Sequence, residues 1–184
     1  AFSKRGIKAV TGISIIAADT SGAKNGNGVT VRYEAKGKEA SLEVDLLIAS
    51  VGRRPRSEGV GLLEHGVMID ERGFVTVDGR MRTSAPGVYA IGDLVNTPQL
   101  AHVAFGEAIV AVQDILGEDP LPIEYDKVPL GVYCHPEVAF CGLTEEAAKA
   151  KGIEVEVSAH RFMGNGRALI IGDSDGLVKI VTEK

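Results

Sequence analysis

Residues 83–108 read TSAPGVYAIGDLVNTPQLAHVAFGEA. GVYAIGD is an apolar run of strand character that stops on Gly92 and Asp93. From Pro98 onward Leu100, Val103, Ala104, Ala108, Ala111, Val112 and Ile115 recur at three and four, which predicts an amphipathic helix. Thr97 suits the cap of that helix and Pro98 its first position. A buried strand and a helix N-terminus are thus expected to converge on Asp93, at a place where open α/β sheets bind ligands.

The chemistry of that place is specific. Gly92 lets a ligand approach the backbone closely, and Asp93 offers two acceptor oxygens to a hydroxylated group. The amides of residues 99–102, unpaired at a helix start, favour negative charge beyond them. A polyol chain at Asp93 and an anion-forming ring at the helix describe a flavin. A plain turn capped by Asp93 accounts for the same residues, and the stretch alone leaves both readings open.

Working outward, AFSKRG reads as the last turn of a helix, with Gly6 as its left-handed cap. IKAVTGISII reads as a strand, and DTSGAKNGNG as a polar turn. A hairpin follows, with Val29, Val31 and Tyr33 alternating in one arm, KGKEA as its turn, and Leu42 and Val44 in the other. That second arm runs into the continuous apolar LLIASVG, whose strand is expected to be covered on both faces. After GRRPR come a short helical piece at Leu62, Leu63 and His65 and a small hairpin, VMID-ERG-FVTVD. GEDPLPIEYDKVP, with three prolines and four acids in thirteen residues, marks a boundary. Beyond it LGVYCHPEVAFCG gives strands, TEEAAKAKG a capped helix and IEVEVSAHRF a strand, while ALIIG and LVKIV flank DSDG as a hairpin. The fold class is α/β followed by α+β. The truncated first helix and the thinly covered last sheet predict a piece of a larger protein.

Composition narrows the function. A net charge of −5, no Trp and 5% aromatic residues disfavour nucleic acid and anionic membranes as partners. No apolar run reaches the roughly 18–20 residues of a membrane-spanning helix, and the N-terminus lacks a signal-peptide pattern, so a cytoplasmic or organelle-matrix location is expected. Cys134 and Cys141, with six residues between them, fit neither metal nor redox spacing and read as small buried hydrophobes. No metal site is expected.

TSAPGVYAIGD…QLAHVAFGEA resembles the second FAD-contact segment of the pyridine nucleotide–disulfide oxidoreductases. VGRRPR and VYCHPEVAFCGLTEE resemble the dihydrolipoamide dehydrogenase branch of that family. The resemblance runs over nearly the whole chain. It implies the end of an NAD-binding domain over 1–55, a central domain with the flavin segment over 56–123, and the start of an α+β interface (dimerisation) domain over 124–184. It further implies FAD held by Asp93, Gln99, Leu100, Ala101 and His102, with Gly52 and Val10 against NAD. Without it, Gly52 is a strand-end turn glycine and Val10 a core valine.

The partners so implied are a second copy of the chain and the lipoyl domains of 2-oxoacid dehydrogenase complexes. His135-Pro136-Glu137 imitates a catalytic His-Pro, but the family's own would lie beyond Lys184, and no catalytic residue is expected within the chain. His102 is expected to act mainly through its backbone, and Arg53, Arg54 and Arg56 to form a solvated loop. Neither GxGxxG nor a CxxxxC pair occurs in the sequence, so the chain by itself is expected to be inactive. The alternatives are a non-catalytic dimerisation or binding module, and another flavoprotein disulfide reductase.

Overall fold

The computed structural model describes residues 2–21 and 28–184. Strands and helices are mixed, and the chain divides after Gly52 into two compact units. In the first, a 3₁₀ turn over Ser3–Arg5 ends on Gly6 at φ 76°, whose amide donates to Ser3 O, as the left-handed cap requires. Three strands then form an antiparallel meander: β1 (Ile13–Asp19), β2 (Val29–Ala35) and β3 (Lys38–Val44). The β1–β2 register shifts between Ile15 and Ala17, as at a β-bulge.

Two expectations change here. The hairpin turn is Lys36-Gly37 alone, with φ of 53° and 73° and Ala35 paired to Lys38. Two consecutive left-handed residues match the right-handed twist of the flanking strands, so KEA is ladder and not loop. IKAVTG and LLIASVG, expected as strand, join no sheet among the described residues. Leu46, Ile48 and Val51 are exposed, Val51 by 94%; a doubly covered strand needs neighbours on both faces, and the described residues supply none. The polar turn after Asp19 lies largely outside the described residues.

The second unit is built on a small apolar cluster of Val67, Val75, Ala85, Ala90 and Val95. Short pairings knit it together: Ile69 with Val75, Val75 with Val95 in parallel, and Arg82 with Tyr89. GVYAIGD is therefore a single bridge rather than a long strand, and Val88 and Ile91 stay partly exposed. Against this lies helix α1 (Ala101–Ile115), whose Val110 and Ala111 pack on Met81. Its buried face is Val103, Glu107, Val110, Ala111 and Asp114. Phe105, Ile109, Val112, Ile115 and Leu116 are exposed, so Val112 and Ile115 lie off the face expected for them.

Past a 3₁₀ turn at Tyr125–Lys127, β4 (Leu130–Val132) pairs antiparallel with β5 (Val138–Phe140). Helix α2 (Glu145–Ala150) is capped by Thr144, which accepts from the Ala147 amide. β6 (Val155–Arg161) pairs along its length with β7 (Leu177–Glu183). Between them ALII is not a strand but part of helix α3 (Gly166–Ile171), with Asn165 accepting from the Ala168 amide and Gly172 left-handed at its end. A side-chain cap and a glycine stop outweigh the β-branched residues. Cys134 and Cys141 are exposed, correcting their burial; their thiols donate to the carbonyls of Pro136 and Lys127.

Candidate functional site

Gly92, Asp93 and Leu94 form a 3₁₀ turn at the end of the extended segment, entered with Gly92 at φ 70°. A Cβ there would lie 3.4 Å from the Cβ of Ala104, so the turn sits directly on the first turns of α1. The helix starts at Ala101, three residues later than Pro98, with Leu100 extended before it and no side-chain cap. Thr97 and Leu100 spend their amides in tight turns, on Val95 O and Pro98 O, which delays the helix. Val103 and Ala104 donate to Leu100 O. Among the described residues the amides of Ala101 and His102, in the first turn, are thus left without a backbone acceptor, as expected at a helix start.

The Asp93 side chain is half exposed, and its Oδ2 lies 3.2 Å from Arg53 Nη2. Gln99 Nε2 donates to Asp93 O at 3.4 Å. Arg53, Arg54 and Arg56 line a shallow cleft with Asp93 and Gln99, and the Arg53 side chain is 72% exposed, as expected of a solvated loop. His102 Nε2 donates to Pro129 O at 2.9 Å, which commits the imidazole to the entry of β4. The structure therefore gathers Asp93, Gln99, Leu100, Ala101 and His102 around one turn and one helix start. Val10 and Gly52 lie in the first unit, both exposed, with Gly52 at φ 126°.

Two buried acids on α1 escaped the sequence reading. Glu107 is fully buried; its Oε2 accepts the Gly92 amide at 2.6 Å and its Oε1 the Tyr125 hydroxyl at 2.9 Å. Burial, and then that carboxylate, push the Tyr125 hydroxyl well above the ordinary phenol range. Asp114, seven residues on, accepts from Arg82 Nε at 2.5 Å, Arg80 Nη1 at 3.2 Å and the Tyr89 hydroxyl at 2.7 Å. Hydrogen bonds from Arg82 and then Tyr89 hold its carboxyl far below the usual range. The available signal was two acids a heptad apart on an otherwise apolar stripe.

The residues present suit a flavin in kind. A glycine without a side chain opens the turn, a half-exposed carboxylate faces outward for hydroxyl donors, and two open amides offer donors to a ring edge. The sequence of the chain matches the family description pyridine nucleotide–disulphide oxidoreductase over residues 1–108 and the dimerisation domain of the same family over residues 128–184. It is 45% identical to a dihydrolipoyl dehydrogenase of Thermus scotoductus, covering 98% of this chain and 38% of that protein. It is 40% identical to the mitochondrial dihydrolipoyl dehydrogenase of Caenorhabditis elegans, covering all of this chain and 36% of that one. Among solved structures, LpdA from Mycobacterium tuberculosis superposes with a TM-score of 0.85 at 28% identity, covering the whole chain and 38% of that protein. The chain thus spans less than two-fifths of the length of these relatives. The turn on α1 and the family match across the residues that build it lead to one conclusion: this chain belongs to the pyridine nucleotide–disulphide oxidoreductases.

Proposed function

We propose that this chain is the flavin-facing centre of a dihydrolipoyl dehydrogenase, which oxidises dihydrolipoamide with NAD⁺. The observation that supports it best is the Gly92–Asp93 turn seated on α1 with the Ala101 and His102 amides open beyond it. The high identity to dihydrolipoyl dehydrogenases over nearly the whole chain points to that reaction rather than to another disulfide reductase.

In this reading Asp93 accepts hydrogen bonds from the ribityl hydroxyls, and the exposed ion pair with Arg53, weak in water, gives way to them. Ala101 and His102 donate their amides toward the N1–C2=O edge, where they steady negative charge. Gln99 and Leu100 complete the approach, with Gln99 tethered to the Asp93 backbone. When bound, FAD supplies the two-electron relay between a dithiol and NAD⁺. Gly52 and Val10 serve the NAD side. Residues 1–55 are the end of the NAD-binding domain, 56–123 the central domain, and 124–184 the start of the domain through which two copies pair. Lipoyl domains of 2-oxoacid dehydrogenase complexes deliver the dithiol.

The 184-residue chain by itself should stay colourless after FAD is added and desalted, because it carries no dinucleotide-binding GxGxxG. Grafted in place of the matching segment of the Thermus scotoductus enzyme, it should give a yellow protein that reduces NAD⁺ with dihydrolipoamide. Asp93→Ala in that hybrid should weaken FAD retention by about tenfold or more. A yellow hybrid indifferent to Asp93→Ala would sink the assignment of the site.

A further inference from the structure

Glu107 carries the strongest unexplained chemistry in the molecule. It is 0% exposed, on the face of α1 that meets the Gly92 turn, and among the described residues no cation pairs with it. A buried carboxylate is costly unless hydrogen bonds replace its water. Here both oxygens are used, one on the Gly92 amide at 2.6 Å and one on the Tyr125 hydroxyl at 2.9 Å. These donors come from segments fifteen residues before it and eighteen after. Asp114 on the same face is held by two arginines and has no such link to the turn.

We propose that Glu107 is a positioning residue of the flavin-contact turn: its carboxylate fixes the Gly92 amide, and through the peptide that follows sets the direction of Asp93. Tyr125 fixes the carboxylate in turn, from the segment that leads into β4. A side chain of this length and charge, accepting at both ends, holds two backbone segments that share no strand pairing. The consequence for FAD rests on the reading given above; the clamp itself does not.

The test has two arms. In the 184-residue chain, Glu107→Ala should move the Gly92 amide proton signal and speed its hydrogen exchange by at least about tenfold, while amides of the β6–β7 pair stay as they were. Glu107→Gln, which can still accept from Gly92, should restore most of the protection, and Tyr125→Phe should fall between. In the flavin-loaded hybrid, Glu107→Ala should release FAD about tenfold faster or more, with Glu107→Gln close to the parent. A Gly92 amide that exchanges alike in the parent chain and in Glu107→Ala overturns the proposal, as does a Glu107→Ala hybrid that loses stability yet keeps FAD as firmly. A parent hybrid that never takes up FAD defeats the flavin assignment instead, and the exchange measurement then still decides the clamp.

Discussion

Gly92 combines two constraints that a side chain breaks separately. Its φ of 70° lies where a Cβ costs about 1–2 kcal/mol, and the added atom would press on Ala104 at 3.4 Å. Gly92→Ala should therefore lower the unfolding free energy by about 1–2 kcal/mol, read from urea denaturation; an unchanged midpoint would mean the turn is not held as described. The sequence singled out this glycine and Asp93 by their place at a strand end ahead of a helix, with a plain capped turn accounting for them equally well. It did not point to Glu107 or Asp114. An acid on a helix reads as surface until its partners are known, and these partners stand fifteen to thirty-four residues away.

Among the elements, the tie between α2 and β7 depends on one carboxylate. Glu145 accepts from Lys149 within its helix at 2.7 Å and from Lys179 on β7 at 2.8 Å. Those two hydrogen bonds, Lys149 first, bring its pKa from an ordinary 4.5 down to about 2. A carboxyl depressed on folding contributes stability that is whole above its unfolded value and is lost as pH falls through the folded one. Glu145→Gln should therefore flatten the loss of stability between pH 4.5 and 2, with little change in slope at neutral pH; denaturant melts across that window check it. α2 was legible because Thr144 and its acids spell a helix start. α3 was not, although Asn165 and Gly172 bracket it, because ALII has the apolar, β-branched character of a strand. The cap and the glycine stop favour the helix locally, and β7 takes its ladder partner from β6, leaving ALII outside the sheet. The start of α1 shifted for a local reason, the two tight turns that take up residues 95–100.

Over the whole chain, the uncovered apolar surface is the dominant property. α1 carries Phe105, Ile109, Val112 and Leu116 at spacings of four, three and four, all exposed, with Phe105 at 71%. Such a stripe is larger in kind than the scattered apolar residues of ordinary surfaces. The isolated chain should bind a hydrophobic dye and associate as its concentration rises, and Phe105→Glu with Ile109→Lys should reduce both signals in light scattering and dye titration. The mixed α and β class was readable from pattern alone, since hairpin turns and helix caps are local. LLIASVG was readable as apolar but not as a paired strand, because pairing depends on which neighbours are present. The absence of Trp gives the Glu107 clamp one more property. The chain's ultraviolet emission comes from four tyrosines, and two of them, Tyr89 and Tyr125, give their hydroxyl hydrogens to carboxylates, an arrangement that quenches an excited phenol. Loosening either bond should brighten the molecule, so the segment that holds the Gly92 turn carries its own lamp.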